Sequence, residues 1–370
     1  MKTGFVKKCA AVFAALMIFS SFNSTVLASA AEDFYADTVF LGDSLTVGLK
    51  KYVSANDDCI LHDSVFLATN GYMLSQTANE DGFSKHPEYK GSRLQPQKSI
   101  ASIDPKKVFI TMGINDSAGE ISTLTSNYEK LLDAVKHAAP SAKIYMIAVF
   151  PMTTTKENSL RNNAKIDQIN TSILKLAMRN NVNFVDFTDK LKNGNALERS
   201  YSSDDYVHFS NEGYDVWLAQ MSSFVKFIER VSSVSSGNAT IINVKEYVNG
   251  RSEASSSSKL VTKIPKGSSV EVLGQANDEW YLVRYDDKEA YVFKKYISAA
   301  SENEGLTGKI VNVSEFANLR KLPDQAAEIA GTIEKGASVS ISKLYYDPSW
   351  YRIIINGDPC YVSSDYVKID

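Results

Sequence analysis

The chain has 370 residues, 44% of them hydrophobic and 22% charged, with a formal net charge of −3. That length gives room for two or three domains, and the composition is that of a folded chain rather than a disordered one. A mildly acidic balance offers nucleic acid no electrostatic footing, and three cysteines exclude a disulfide scaffold.

The N-terminus stands apart. Lys2, Lys7 and Lys8 precede an apolar run from Cys9 to Phe19, and Ala28-Ser29-Ala30 is a small-x-small cleavage pattern. Residues 1–30 read as a secretory signal peptide, too short for a stable membrane span. Its removal takes away three lysines and no acid, moving the formal charge from −3 to −6. The mature chain keeps Cys59 and Cys360, which fall in different domains, an arrangement that argues against pairing.

From Thr38 to about Arg230, short apolar runs alternate with helical patterns. Strands are predicted at Val39–Leu41, Ser64–Ala68, Val108–Met112, Lys143–Phe150 and Asn183–Phe187. Helices are predicted at Thr123–Ala139, Ser159–Asn180 and Asn211–Val231, where apolar residues recur every three or four positions. Strands separated by helices imply a parallel sheet in a three-layer α/β/α domain over residues 37–231. Residues 79–97 are polar and aperiodic, and read as a long loop.

The serine-rich stretch 232–239 reads as a linker. Beyond it, Asn243-Val244, Asn249-Gly250-Arg251 and Lys266-Gly267 return 69 residues later as Asn312-Val313, Asn318-Leu319-Arg320 and Lys335-Gly336. Trp280-Tyr281, Tyr291 and Tyr296 return 70 later as Trp350-Tyr351, Tyr361 and Tyr366, so one residue is inserted in a hairpin before the second tryptophan. Two tandem β-barrels follow, at 240–299 and 308–370. Their shared phrase of Asn-x-Arg, Lys-Gly, Trp-Tyr and Tyr-Val resembles bacterial SH3-like domains. The tryptophans and tyrosines either line a ligand groove or close the barrel, whereas Arg251 and Arg320 read as structural. Residues 238–370 carry 16 basic and 18 acidic side chains, so charge alone does not hold them to a polyanion.

The chemistry lies in the first region. Val39-Phe40-Leu41-Gly42-Asp43-Ser44 reads as a buried strand entering a tight turn, with Ser44 opening a helix. A hydroxyl there sits at a strand's carboxyl end and at a helix N-terminus, where free amides favour a developing oxyanion. The bland alternative makes Ser44 a helix N-cap. Three further polar clusters follow strands: Thr69-Asn70-Gly71-Tyr72, Gly113-Ile114-Asn115-Asp116 and Asp205-Tyr206-Val207-His208. Serine is a weak nucleophile until an oriented histidine takes its proton. The reading is Ser44 as nucleophile, His208 as general base and acid, and Asp205 as its orienting carboxylate. The amides of Ser44 and Gly71 and the side chain of Asn115 serve as oxyanion donors. Asp43 and Asp116 read as supports.

These blocks resemble the SGNH (GDSL) hydrolases, a family of esterases, lipases and carbohydrate acetylesterases, through Gly42-Asp43-Ser44-Leu45, Gly71, Gly113 to Asp116 and Asp205 to His208. The resemblance implies a flavodoxin-like three-layer fold and hydrolysis through an acyl-enzyme without metal or cofactor. A metal held by Asp204, Asp205 and His208 has no third cluster to complete it. The leading expectation is a secreted or wall-associated esterase removing short acyl groups, probing an acylated glycan or small ester, with the SH3-like pair bound to peptidoglycan. A lipase or lysophospholipase, and a wall-binding protein with an inactive hydrolase scaffold, are the alternatives.

Overall fold

Five short apolar segments, four of them buried along most of their length, form the parallel sheet that carries the first region. The computed structural model describes residues 30–234, 238–277, 279–298, 304–355 and 358–369; the predicted signal peptide up to residue 29, and residues 235–237 of the predicted linker, lie outside them. The chain divides into two units, Met1–Lys226 with Leu344–Pro348, and Phe227–Lys343 with Ser349–Asp370. Among the described residues no helix is long and apolar enough to cross a membrane.

In the first unit the strands are β1 (Thr38–Gly42), β2 (Val65–Ala68), β3 (Lys107–Thr111), β4 (Lys143–Ile147) and β5 (Asn183–Val185), ordered β2-β1-β3-β4-β5. All pair in parallel, with Val39 beside Val65 and Val108, and Val108 beside Ile144. This is the flavodoxin-like order, whose switch point lies between β1 and β3. In-register aromatics cross the sheet as a stacked row: Phe66, Phe40, Phe109 and Tyr145, with centroids 5.4, 5.1 and 4.3 Å apart. A sixth strand, Tyr345–Tyr346, pairs in parallel with β5.

The helices are α1 (Ser44–Ser54), α2 (Pro96–Ile103), α3 (Ile121–Ala138), α4 (Asn163–Arg179) and α5 (Asn211–Val234). Three differ from the sequence reading. Helix α2 occupies the end of the predicted loop and the residues after it, with Pro96 in its first turn, where no amide hydrogen is needed. Helix α4 begins at Asn163, not Ser159, because Asn158 folds a turn onto the amides of Leu160 and Arg161 while Asn162 caps Lys165. Helix α5 runs on to Val234, into the serine-rich stretch.

The second unit holds the two repeats, each a seven-stranded antiparallel sheet with the same strand order. Trp280 pairs with Phe293 in the first and Trp350 with Ser363 in the second, at matching register. Arg251 donates to the carbonyl of Ser258, and Arg320 to that of Ala327, so both arginines brace equivalent loops as the sequence suggested. The second copy's first strand, Glu304–Ile310, starts earlier than its predicted boundary of 308. The copies part at one hairpin. In the first, Ser269–Asn277 and Trp280–Tyr285 pair along their length. In the second, Ser338–Ser342 ends early, and residues 344–348 belong to the first unit before Trp350 resumes the barrel.

Candidate active site

Gly42 ends β1 where a side chain cannot fit: a Cβ there would lie 2.8 Å from the carbonyl oxygen of Thr111 and would also collide with Thr46. The chain therefore turns directly into α1. Asp43, not Ser44, is the N-cap, its carboxylate accepting from the amide of Leu45 at 3.0 Å. This frees the Ser44 hydroxyl, and the Ser44 amide, in the first turn of α1, has no partner within the helix. Asp43 is buried, and burial pushes its carboxyl up to about 7.

Between β5 and α5, the loop carrying His208 is tightly braced. Ser203 donates its amide to the His208 carbonyl, and Ser202 pairs with Phe209 in a bridge. Phe209 packs edge-on against Phe150 and Trp217, anchoring the loop to the core. So held, His208 Nε2 lies 2.9 Å from Ser44 Oγ across 164 residues of sequence. The sequence reading of these two side chains as neighbours matches this geometry.

The carboxylate does not match it. His208 Nδ1 meets Asp204 Oδ2 at 2.5 Å, while the amides of Tyr206 and His208 donate to Asp204 Oδ1. Asp205 adopts a left-handed backbone conformation, φ 54°, that turns its side chain the other way. Its carboxylate accepts from Thr155 and pairs with Arg199, and its carbonyl accepts from Thr153. The expected Asp-x-x-His pairing is thus replaced by Asp-x-x-x-His. Partial burial would raise the Asp204 carboxyl, but hydrogen bonds from the His208 ring and from the two amides outweigh it and hold it below the ordinary aspartate range.

The two remaining clusters are tied to each other. The Asn115 side-chain amide donates to the Tyr72 carbonyl at 3.1 Å, and the Leu74 amide donates to buried Asp116 at 3.1 Å. Asn115 keeps a second N–H beyond the one given to Tyr72. Gly71 has φ 67°, a left-handed value glycine adopts without strain, and the Thr69 amide reaches back to the Gly42 carbonyl at 3.4 Å. The loops after β1, β2 and β3 are thereby linked at the switch point. Beside them a cleft of about 530 Å³ is lined by Ser44 and His208, with Lys51, Asn56, Asn70 and Asn211 on its walls.

The sequence reading weighed Asp204 only as a metal ligand and missed it as the partner of His208. Its only signal was the adjacent pair Asp204-Asp205, and choosing between them requires the backbone conformation. Arg161 also escaped notice. It hydrogen-bonds the Tyr206 hydroxyl and reaches the Asn115 carbonyl at 3.4 Å, joining two of the clusters.

A doubly wound parallel sheet with a serine–histidine–aspartate chain at its switch point defines a serine hydrolase class. Residues 40–216 match the GDSL-like lipase/acylhydrolase family, and residues 246–298 match the bacterial SH3 domain. Residues 40–216 are thus a GDSL-like lipase/acylhydrolase domain, which makes the chain an enzyme, and a bacterial SH3 domain follows at 246–298. No curated protein matches it. Similar solved structures include a GDSL-like lipase from Bacteroides thetaiotaomicron, at 19% identity and TM-score 0.38 over 51% of this chain and 87% of that one. A lipase/acylhydrolase from Enterococcus faecalis shows 16% identity and TM-score 0.38 over 51% and 95%. A carbohydrate esterase family 3 protein from Talaromyces cellulolyticus shows 15% identity and TM-score 0.36 over 53% and 99%.

Proposed function

We propose that this is a secreted serine esterase that removes O-acetyl or other short acyl groups from a cell-wall or extracellular glycan, held at the wall by its SH3-like domains. The observation that carries the reading is the chain of contacts from Asp204 to His208 Nδ1 and from His208 Nε2 to Ser44 Oγ. With Asp204 ionised, Nδ1 keeps its proton and Nε2 accepts from serine. Ser44 Oγ attacks the ester carbonyl carbon while its proton passes to Nε2. The resulting oxyanion is met by the Ser44 amide, the Gly71 amide and the second N–H of Asn115. Collapse breaks the ester C–O bond, and His208 returns the proton to the departing alcohol. Water then repeats the sequence on the acyl-enzyme.

The cleft sets three asparagine side chains and a lysine beside the rings of Tyr52, Phe209 and Tyr214, a mixed lining that suits a hydroxylated leaving group such as a sugar. The signal-peptide pattern and the SH3-type domains support export and a wall location. The test is p-nitrophenyl acetate turnover by the full chain beside Ser44→Ala. The variant is expected to lose about 10⁴-fold or more in kcat, and equal rates would reject the assignment. Rates rising from acetyl to octanoyl esters would favour a lipase instead.

A further inference from the structure

The cleft beside Ser44 and His208 does not end at the reacting pair. It follows one face of α1, where Ser44, Val47, Gly48, Lys51, Tyr52 and Ala55 recur at helical spacing. From Ser44 to Ala55 that face covers ~16 Å of helix axis. Helix α5 supplies the opposite wall, with Asn211 and Tyr214 at the Ser44 end. Beyond them a second hollow of about 320 Å³ continues between the same two helices, lined by Leu218, Ala219 and Ser222 of α5 and by Asp58 and Cys59. Tyr52 and Asn56 line both hollows, so the two adjoin as one groove. A serine and a short acyl group need only its near end.

Tyr52 stands where the hollows meet, and it is held there. Its hydroxyl donates to Asp215 of α5, and its ring lies 5.6 Å from that of Tyr214, tilted by 33°. Buried Tyr214 is fixed in turn, donating to the Leu45 carbonyl at 3.1 Å. It reaches α1 only because residue 48 is glycine: a Cβ there would lie 1.8 Å from the Tyr214 hydroxyl. Tyr52 itself stays half-buried, with part of its surface facing the groove. Asn56 gives one N–H to the Tyr52 carbonyl at 2.7 Å and has a second N–H and an oxygen left over.

We propose that this groove holds a glycan strand: the acylated sugar sits at Ser44, and the sugars linked to it run along α1 with one ring stacked on Tyr52. A sugar offers an apolar C–H face to an aromatic ring and hydroxyls to amide side chains, the combination that Tyr52, Asn56, Asn70 and Asn211 present. A long acyl chain is the poorer occupant. Lys51, Ala55, Asn56 and Asp58 are exposed, and would leave such a chain lying in water against polar and charged groups. The inference rests on the reading of the enzyme as a glycan esterase. It adds that linked sugars are the substrate, and that Tyr52 sets the preference for them over a single sugar.

The experiment uses the full chain and two series of esters, O-acetylated N-acetylglucosamine and O-acetylated xylose, each as the monomer and the β-1,4-linked trimer. In at least one series the trimer is expected to exceed its monomer at least about tenfold in kcat/KM, because binding energy from the remote sugars is carried into the transition state. Tyr52→Ala should abolish that preference, while Tyr52→Phe, which keeps the ring and loses the bond to Asp215, should retain it. Thermal melting checks that each variant is folded. A trimer no better than its monomer in both series, or a preference that survives Tyr52→Ala, overturns the proposal. So does a Tyr52→Ala variant that loses a preference for octanoyl over acetyl p-nitrophenyl esters, which would put the acyl chain in the groove. Turnover of p-nitrophenyl acetate by the parent separates failure of the groove from failure of the esterase reading, since only the latter abolishes it.

Discussion

The two units place their chemistry in opposite ways. In the parallel-sheet unit, groups 164 residues apart meet because strand ends converge at one edge of a doubly wound sheet. In the repeats, one antiparallel frame is used twice, and copies differ by side chains on matching positions and by one hairpin. Convergent placement makes function sensitive to backbone conformation, as Asp204 and Asp205 demonstrate. Repetition instead leaves matching positions free to differ by substitution, as Lys295 and Asp365 do.

The largest expected effect tests the convergent half. Asp204→Asn should lower kcat about 10⁴-fold on p-nitrophenyl acetate by removing the ionised partner of His208 Nδ1, while Asp205→Asn should cost less than about tenfold. The same chemical change one residue apart thus measures what the left-handed turn decides. A reversed order would return the orienting role to Asp205.

Next comes stability. Burial pushes the Asp43 carboxyl up to about 7, from an ordinary aspartate value of 3.8. A raised carboxyl favours the fold fully below the unfolded value and loses that contribution as pH rises through the folded one. Its ionisation therefore costs on the order of 4 kcal/mol by pH 8. Asparagine caps equally well, so Asp43→Asn should flatten the stability profile between pH 4 and 7 and be the more stable protein at pH 8. Urea denaturation at pH 4.5 and 8 reads the difference.

Asn115→Ala should lower kcat about 10²–10³-fold by removing one oxyanion donor, with thermal stability little changed. A comparable loss of stability would instead mark Asn115 as a brace for the Tyr72 carbonyl.

The smallest effect probes the hairpin that separates the repeats. Tyr346 is buried against Phe224 and Phe187, with centroids 5.1 and 6.2 Å away, and its carbonyl accepts from the Asp186 amide at 2.8 Å. Tyr346→Ala should destabilise the unit of the parallel sheet by about 3 kcal/mol.

Much of this was legible without coordinates. Apolar strand runs and helical spacing located β1 to β5, α3 and α5, because period and burial act locally. The repeat offsets of 69 and 70 found the hairpin holding an extra residue. Ser44, Gly71 and Asn115 announced themselves by standing just after strands, and His208 by standing just before the last helix of the domain. Helix α2 stayed hidden because it is only eight residues long and its first residues fall at the end of a long polar stretch.

What the amino-acid order determined by itself was therefore the architecture, the two repeats and the rim on which the chemistry gathers. Only the tertiary structure decided that Asp43 caps the helix and releases Ser44, that Asp204 rather than Asp205 faces the imidazole, and that Tyr345–Tyr346 completes the parallel sheet. The physical reason is common to all three. Each depends on a backbone turn or a distant hydrogen-bond partner that selects between chemically similar neighbours, and no local pattern in the sequence encodes that selection.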